Sequence, residues 1–299
     1  MVEVKASAIT DEFSSEFDKA CEHLQSRDVD HVELRNVLTG NILQIDDRAT
    51  GHAKDILNEC GLKVSALATP LMKCLPPSIN PEPLNSTDYN ENWRYNYSLF
   101  DRALELADFF DTRYIRCFGY KGKFPVPPVS EWASFHVFTE WSEVVSDYSA
   151  RAAARGKMLV CENEGGLVAV LDQMEHVGSR LCGPGFGLLY DTANVARKEG
   201  ENGVLTEEWL PRLAPCIQYV HAKGCKATPL GGRKTCLVNG PGDMCRWPRL
   251  VEYFRAITTS DFVAPAPNPL FFSIETHMGK RNRLKHSDAS LRNLQALLA

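Results

Sequence analysis

The 299-residue chain is 44% hydrophobic and 24% charged, ordinary globular usage that supplies one large core and leaves no room for a long disordered arm. Its net charge of −5 and pI near 5.9 argue against the basic face with which nucleic-acid binders meet phosphate, and favour a small solute as partner. No apolar run approaches the ~20 residues of a membrane span, and Met1-Val2-Glu3-Val4-Lys5 leads into a polar stretch instead of a signal-type apolar segment, so a cytoplasmic protein is expected.

Short apolar or β-branched runs alternate with amphipathic stretches along the whole chain, the pattern of repeated βα units. In chain order the spacing predicts strands at Val4–Ile9, His31–Leu34, Lys63–Ala68, Tyr114–Phe118, Met158–Glu162, Gly187–Asp191, Ile217–His221 and Leu270–Glu275. The intervening helices are predicted at Ser15–Gln25, Ala49–Cys60, Trp93–Phe110, Glu131–Arg155, Val168–Val177, Glu207–Leu213, Pro248–Ile257 and Ser287–Leu298. Ser14 and Asp288 read as helix-start residues, and Gly61 as the glycine that closes the second helix. Eight strands, each followed by a helix, fit a closed (β/α)8 TIM barrel over residues 1–299 better than a doubly wound sheet.

Two connections exceed the short loops of a barrel, Cys74 to Glu91 and Lys223 to Trp247, both rich in Pro, Gly and Asn. Each follows a strand, so each is expected to shape or cover the pocket on the face where barrels place their chemistry. Trp93, Trp132, Trp141, Trp209 and Trp247 fall in or beside helices, where packing against the barrel is the expected role. The basic run Lys280-Arg281-Asn282-Arg283 reads as a solvated loop. The ten cysteines read as reduced thiols. Cys117, Cys161 and Cys216 lie in apolar runs, and Cys225, Cys236 and Cys245 lack the Cys-x2-Cys spacing of a structural zinc site.

The chemistry gathers at the ends of strands five to eight. These read Leu159-Val160-Cys161-Glu162, Leu188-Leu189-Tyr190-Asp191, Tyr219-Val220-His221 and Ser273-Ile274-Glu275. Glu162, Asp191 and His221 are 29 and 30 residues apart, about one βα unit each, which sets them side by side at one rim height. A strand-terminal Asp alone caps helices, and a lone His is usually a satisfied structural group. Four such residues on neighbouring barrel strands converge on one axis, where three carboxylates and an imidazole suit Mn2+, Mg2+ or Co2+ and, with less preference, Zn2+.

Beside them, Lys223 and His277 lie two residues beyond His221 and Glu275 and so on the same faces, each a candidate substrate contact. Glu33 and Arg35 alternate with apolar residues on the second strand and point into the barrel or its mouth, where a structural ion pair and a substrate contact are equally good readings. Arg116 offers a planar fork for a carboxylate or phosphate, with structural pairing as the default. Glu164 reads as a helix-start residue outside the site.

Glu162-Asn163, Asp191-x-x-Asn194, His221-x-Lys223 and Ile274-Glu275-Thr276-His277 resemble the xylose isomerase-like TIM barrel superfamily, in its sugar phosphate isomerase/epimerase branch. The likeness runs along nearly the whole chain, including Val32-Glu33-Leu34-Arg35 and Gly240-Pro241-Gly242-Asp243. It implies that Glu162, Asp191, His221 and Glu275 bind one divalent metal, Mn2+ foremost, and that Glu162 and Glu275 serve as acid and base on a small carbohydrate. The metal polarises a carbonyl beside an adjacent hydroxyl, one glutamate removes the neighbouring C–H proton, and an enediolate forms. Return of the proton to the opposite face epimerises the carbon; return to the neighbouring carbon interconverts aldose and ketose. Loss of a β-substituent instead makes a lyase or hydratase of a keto-sugar or sugar acid. The resemblance also implies substrate contacts from Asn194, and a homo-oligomer. Ketose 3-epimerases of this family carry His in place of Asn194 and Arg in place of Ala227, so simple ketohexose epimerisation is not implied. A DNA-repair endonuclease of the same fold needs further ligands and a basic face, and a non-catalytic sugar-binding barrel needs no intact ligand set.

Overall fold

In the computed structural model, which describes residues 2–279 and 281–299, eight parallel strands close into a barrel: β1 (Val4–Ile9), β2 (His31–Leu34), β3 (Lys63–Leu71), β4 (Tyr114–Phe118), β5 (Met158–Glu162), β6 (Phe186–Asp191), β7 (Ile217–Ala222) and β8 (Leu270–Ile274). Each pairs with its sequence neighbour, and β1 closes the ring on β8 through Val4 opposite Leu270 to Ala8 opposite Ile274. This is the expected (β/α)8 architecture. Glu275 stands one residue beyond β8, and β3 runs three residues further than the apolar pattern marks, through Pro70.

The strand faces divide the core. Outward side chains pack under the helices, with Trp132, Trp141 and Trp247 fully buried there. Trp141 Nε1 also donates to Phe118 O at 3.0 Å, pinning the long helix His136–Ala154 to the end of β4. Trp93 and Trp209 are only partly buried against this core. Inside the barrel a separate apolar layer of Ala66, Tyr114, Met158, Val160, Leu189, Tyr219 and Phe271 fills the lower half. Above it, inward positions turn polar: Glu33, Arg116, Glu162, Asp191, His221 and Glu275 are all buried.

The helices depart from the sequence pattern mainly at their ends and breaks. Ser14 Oγ accepts from Glu16 N, and the first helix begins later, at Phe17. Asp46, not the expected Ala49 region, starts the second helix at Asp47–Glu59, its carboxylate accepting from Ala49 N at 2.7 Å. The stretch 93–110 breaks at Leu99 into Trp93–Ser98 and Phe100–Phe109. Likewise a 3-10 turn, Val129–Ser134, precedes the fifth helix, and another, Gly166–Val168, precedes Leu171–Leu181. Of the helix expected at Glu207–Leu213 only Leu210–Leu213 forms. Thr192–Glu199, directly after β6, is helical instead, and the apolar pattern alone missed it because its first turn is tied by the Asp191 side chain.

Asp288 does not open the last helix. That helix runs from Arg283 to Leu298, and Asp288, inside it, accepts from Arg27 Nε at 2.7 Å and pairs with His23 Nε2 at 3.0 Å, binding the chain's last helix to its first. Of the basic run, Lys280 lies outside the described residues, and Arg283 donates to Asp11 O at 2.8 Å. The loop after β7 carries a hairpin that has no sequence signal of its own, Gly224–Ala227 against Arg233–Cys236. Asp243 of Gly240-Pro241-Gly242-Asp243 organises its base by accepting from Cys225 N, Cys245 N, Asn239 N and Trp247 Nε1. All ten thiols are free, nine of them buried. No helix among the described residues is long and apolar enough to cross a membrane.

The loops after β4 and β5 touch at Gly166. At φ +52° it sits in the left-handed region, and an added Cβ would lie 2.0 Å from Gly119 O and 2.6 Å from Tyr120 O. Gly166→Ala is therefore expected to destabilise the protein by about 1–3 kcal/mol, read as a lower urea midpoint with an unchanged slope.

Candidate active site

Strand register does the positioning. Asp191 lies opposite His221, His221 opposite Ser273, and Glu162 opposite Leu189, so the ends of β5 to β8 meet at one level. Ligand atoms of Glu162, Asp191, His221 and Glu275 all lie within 4.8 Å of one another, and all four residues are buried. The strand ends are fastened to each other: Asp191 N donates to Asn163 Oδ1 at 2.6 Å, and Asn163 Nδ2 returns the bond to Asp191 O at 3.0 Å.

Asp191 does two jobs. Its Oδ1 accepts from Ala193 N and Asn194 N and so caps the helix after β6, while Oδ2 accepts from Lys223 Nζ at 2.6 Å. The capping role that such an Asp has alone and its place in the cluster are thus compatible. The same helix turn directs Asn194 Nδ2 to Glu162 Oε1 at 3.2 Å.

His221 is aimed from behind. Its Nε2 donates to both Glu33 oxygens, at 3.0 and 3.1 Å, and both residues are fully buried. Its Nδ1 has no hydrogen-bond partner and faces Glu275 Oε2 at 3.3 Å and Glu162 Oε1 at 3.7 Å. An orphaned ring nitrogen set among three carboxylates, with the opposite nitrogen held by a carboxylate, fits a divalent cation as the missing neighbour. Burial pulls the imidazole down, but Glu33 and then Glu275 outweigh it and hold His221 well above its ordinary value, so a cation at Nδ1 would have to displace a proton that the surrounding carboxylates favour.

Cations hold the carboxylates. Arg116 donates to Glu162 Oε2 at 3.0 Å and to the carbonyls of Ala68 and Thr69. Burial pushes Glu162 up, yet Arg116 overrides it and keeps that carboxyl below the usual carboxylate range. Arg35 donates to Glu275 Oε1 at 2.8 Å, to Glu12 at 2.7 Å and to Asp11, so every guanidinium nitrogen is bonded to protein. Lys223, fully buried, bridges Asp191 and Glu275 at 2.6 and 2.8 Å. Against burial, Lys223 and next His277 hold Glu275 well below its ordinary value, whereas burial pushes Asp191 up to about 6 despite Lys223.

His277 stands at the mouth with its side chain 43% exposed, Nε2 2.9 Å from Glu275 Oε1 and Nδ1 accepting from Lys223 Nζ at 3.3 Å. The structure thus brings Glu162, Asp191, Asn194, His221, Lys223, Glu275, His277, Arg35 and Arg116 into one polar network. Three contributors were left out of the site set assigned from sequence. Glu33 was read as an inward residue with a structural ion pair and a substrate contact as equal alternatives, and its pairing with His221 spans the barrel. Asp11 and Glu12 follow β1 at the same rim, a position that was their signal. Glu12 accepts from Thr276 N, Thr276 Oγ1 and His277 N, fixing the chain beyond β8.

No protein-family profile matches the chain, and no curated protein sequence does. Solved structures do match in fold. A xylose isomerase-like TIM barrel protein from Mycobacterium smegmatis in complex with magnesium superposes with a TM-score of 0.64 at 14% identity, over 95% of this chain and 89% of that one. The probable 3-DHS dehydratase AsbF of Bacillus anthracis gives 0.65 at 14% identity, over 97% and 98%. D-psicose 3-epimerase from Clostridium cellulolyticum H10 gives 0.62 at 12% identity, over 98% and 96%. The chain shares the barrel fold of these proteins over 95–98% of its length.

If Glu33 sets the His221 tautomer and the cluster holds a divalent cation, Glu33→Gln is expected to weaken that cation's binding by about 10–100-fold, measured by titration calorimetry. The amide can donate to Nε2 and so favour the tautomer whose proton sits on Nδ1.

Proposed function

We propose that the protein is a divalent-metal-dependent isomerase or epimerase of a small sugar or sugar derivative, with Mn2+ the preferred ion and Glu162, Asp191, His221 and Glu275 its ligands. The observation that carries this reading is the unpartnered His221 Nδ1 pointing between Glu162 and Glu275, with Glu33 behind it. The fold neighbours lend support, since they include a magnesium complex, a zinc-binding protein and ketose 3-epimerases.

When bound, the ion would polarise a substrate carbonyl and stabilise the negative charge that develops on its oxygen. The rest falls to the protein. Glu162 and Glu275 are both held ionised by neighbouring cations, Arg116 for the first and Lys223 for the second, so either can accept a proton from the carbon beside the carbonyl. The glutamate that takes this proton leaves an enediolate. The other glutamate takes the proton of the adjacent substrate hydroxyl and delivers it to the opposite face of the same carbon, the first glutamate returning its own proton to that oxygen, and the product is the epimer. Transfer to the adjacent carbon gives the aldose–ketose isomer. Lys223 supplies a fixed ammonium beside the developing oxyanion, and Asn194 orients Glu162 and offers an amide to a substrate hydroxyl. Arg35 and Arg116, whose guanidinium nitrogens are all bonded to protein, hold the two glutamates in place instead of meeting substrate directly.

A dehydratase among the neighbours, together with His277, favours one second reading. His277 reaches both Glu275 and Lys223 and is exposed enough to protonate a departing β-hydroxyl, which would turn the same proton abstraction into a lyase reaction.

The test strips the protein with chelator, restores Mn2+ and follows deuterium exchange and product formation by proton NMR over ketoses, aldoses, sugar phosphates and keto-sugar acids. Metal-dependent turnover is expected, falling by about 10²–10⁴-fold in Glu162→Gln and Glu275→Gln. An epimer or isomer supports the first reading, and an eliminated product the second. A wild-type protein that takes up no divalent metal overturns both.

A further inference from the structure

A second group of charges stands at the rim beside Glu162 and takes no part in the acid/base pair. Lys73 follows β3, Lys121 follows β4 and Glu164 follows β5. Lys73 Nζ lies 2.8 Å from Glu164 Oε2, and Lys121 Nζ donates to the other oxygen. The residue before each lysine is a non-glycine in the left-handed region, Met72 at φ 61° and Tyr120 at φ 63°. Such conformations cost free energy and persist where surrounding contacts enforce them. Here Met72 N donates to Asn96 Oδ1 at 2.6 Å, and Lys121 N donates to Cys74 O at 2.9 Å, locking the two turns. The backbone is thus bent at both places so that two ammonium groups meet at one point.

That point adjoins the reacting groups. Lys73 Nζ sits 4.5 Å from the centroid of the Phe118 ring, and the Arg116 guanidinium lies 5.0 Å from the same centroid while bonding Glu162. Lys198, on the helix after β6, adds a third cation whose foremost carboxylate neighbour is again Glu164. Burial lowers the pKa of both Lys73 and Lys198, and for Lys73 the Arg116 charge lowers it further. Glu164 therefore pairs with two lysines at once, with Lys198 near it and Glu199 as that lysine's further carboxylate neighbour, in a chain whose overall charge is −5. A neutral sugar is recognised by hydrogen-bond donors and acceptors and has no use for surplus positive charge at this place.

We propose that Lys73 and Lys121, backed by Lys198, anchor an anionic group of the substrate, so that the site takes an α-hydroxycarbonyl compound bearing a phosphate or a carboxylate in preference to a neutral sugar. This rests on the metal-assisted enediolate reading above. The anion accepts ammonium protons now shared with Glu164, and Glu164 holds the lysines together against their mutual repulsion.

Dihydroxyacetone, dihydroxyacetone phosphate and hydroxypyruvate share one hydroxyketone and differ in the tail, so they separate no charge, phosphate and carboxylate. Binding of each to Mg2+-loaded protein is measured by titration calorimetry. At least one anion is expected to bind about tenfold or more tightly than dihydroxyacetone, and which one identifies the tail. The advantage disappears in Lys73→Ala and Lys121→Ala and survives in Lys54→Ala, at the opposite mouth of the barrel. Equal binding of all three compounds by the wild type, or an anion advantage that both lysine variants keep, overturns the inference and leaves the metal-assisted reading intact. A wild type that takes up neither Mg2+ nor Mn2+ overturns the two together.

Discussion

Glu33, Glu162, Asp191 and Glu275 bring four carboxylates into the upper half of one barrel, each at most 1% exposed. Removing a carboxylate from water costs several kcal/mol unless charge partners and hydrogen bonds replace the lost hydration. Much of the structure at this end supplies those partners. Arg116 reaches Glu162, Arg35 reaches Glu275, Lys223 spans Asp191 and Glu275, and His221 joins Glu33 to the rest. Arg35 is itself held by Asp11 and Glu12, and Glu12 ties down the chain after β8. Loops after β1, β2, β7 and β8 therefore share one electrostatic problem.

The barrel separates this charge from its support. Below the carboxylates, Tyr114, Met158, Val160, Leu189, Tyr219 and Phe271 make a packed apolar floor, which keeps water out and strengthens every charge interaction above it. Hydroxyls bridge the floor's polar gaps, as in the contact of Ser65 Oγ with both Ser7 Oγ and Tyr219 Oη. The outward faces of the same strands pack under the helices, so a change in strand register would disturb the core and the site together. Asp191 couples local and tertiary structure in one side chain: with one oxygen it starts a helix, and with the other it binds Lys223.

Periodicity made the eight strands legible, because a barrel strand is a short apolar run whose length and position depend on nearby residues. The rim residues Glu162, Asp191, His221 and Glu275 were legible for the same reason: strand ends recur at βα spacing, and a barrel must bring them together. Helix ends were less so. Asp288 has the chemistry of a cap, yet Arg27 and His23 from the far end of the chain determine its place inside the last helix. The helix at Thr192–Glu199 depends on the Asp191 side chain more than on an apolar stripe.

What the sequence by itself determined is the architecture and the identity of the converging groups, since both follow from local pattern repeated at a regular interval. Tertiary structure alone decided which group faces which. Glu33 and His221 are 188 positions apart, and the choice between a structural and a substrate-facing Arg35 turned on Asp11, Glu12 and Glu275, which come from opposite ends of the chain. Lys73, Lys121 and Glu164 are each unremarkable in their own loops. Their convergence comes from backbone bends at Met72 and Tyr120 that neighbouring loops enforce. Electrostatic partnership depends on distance through space, and closure of the barrel sets that distance with little regard to separation along the chain.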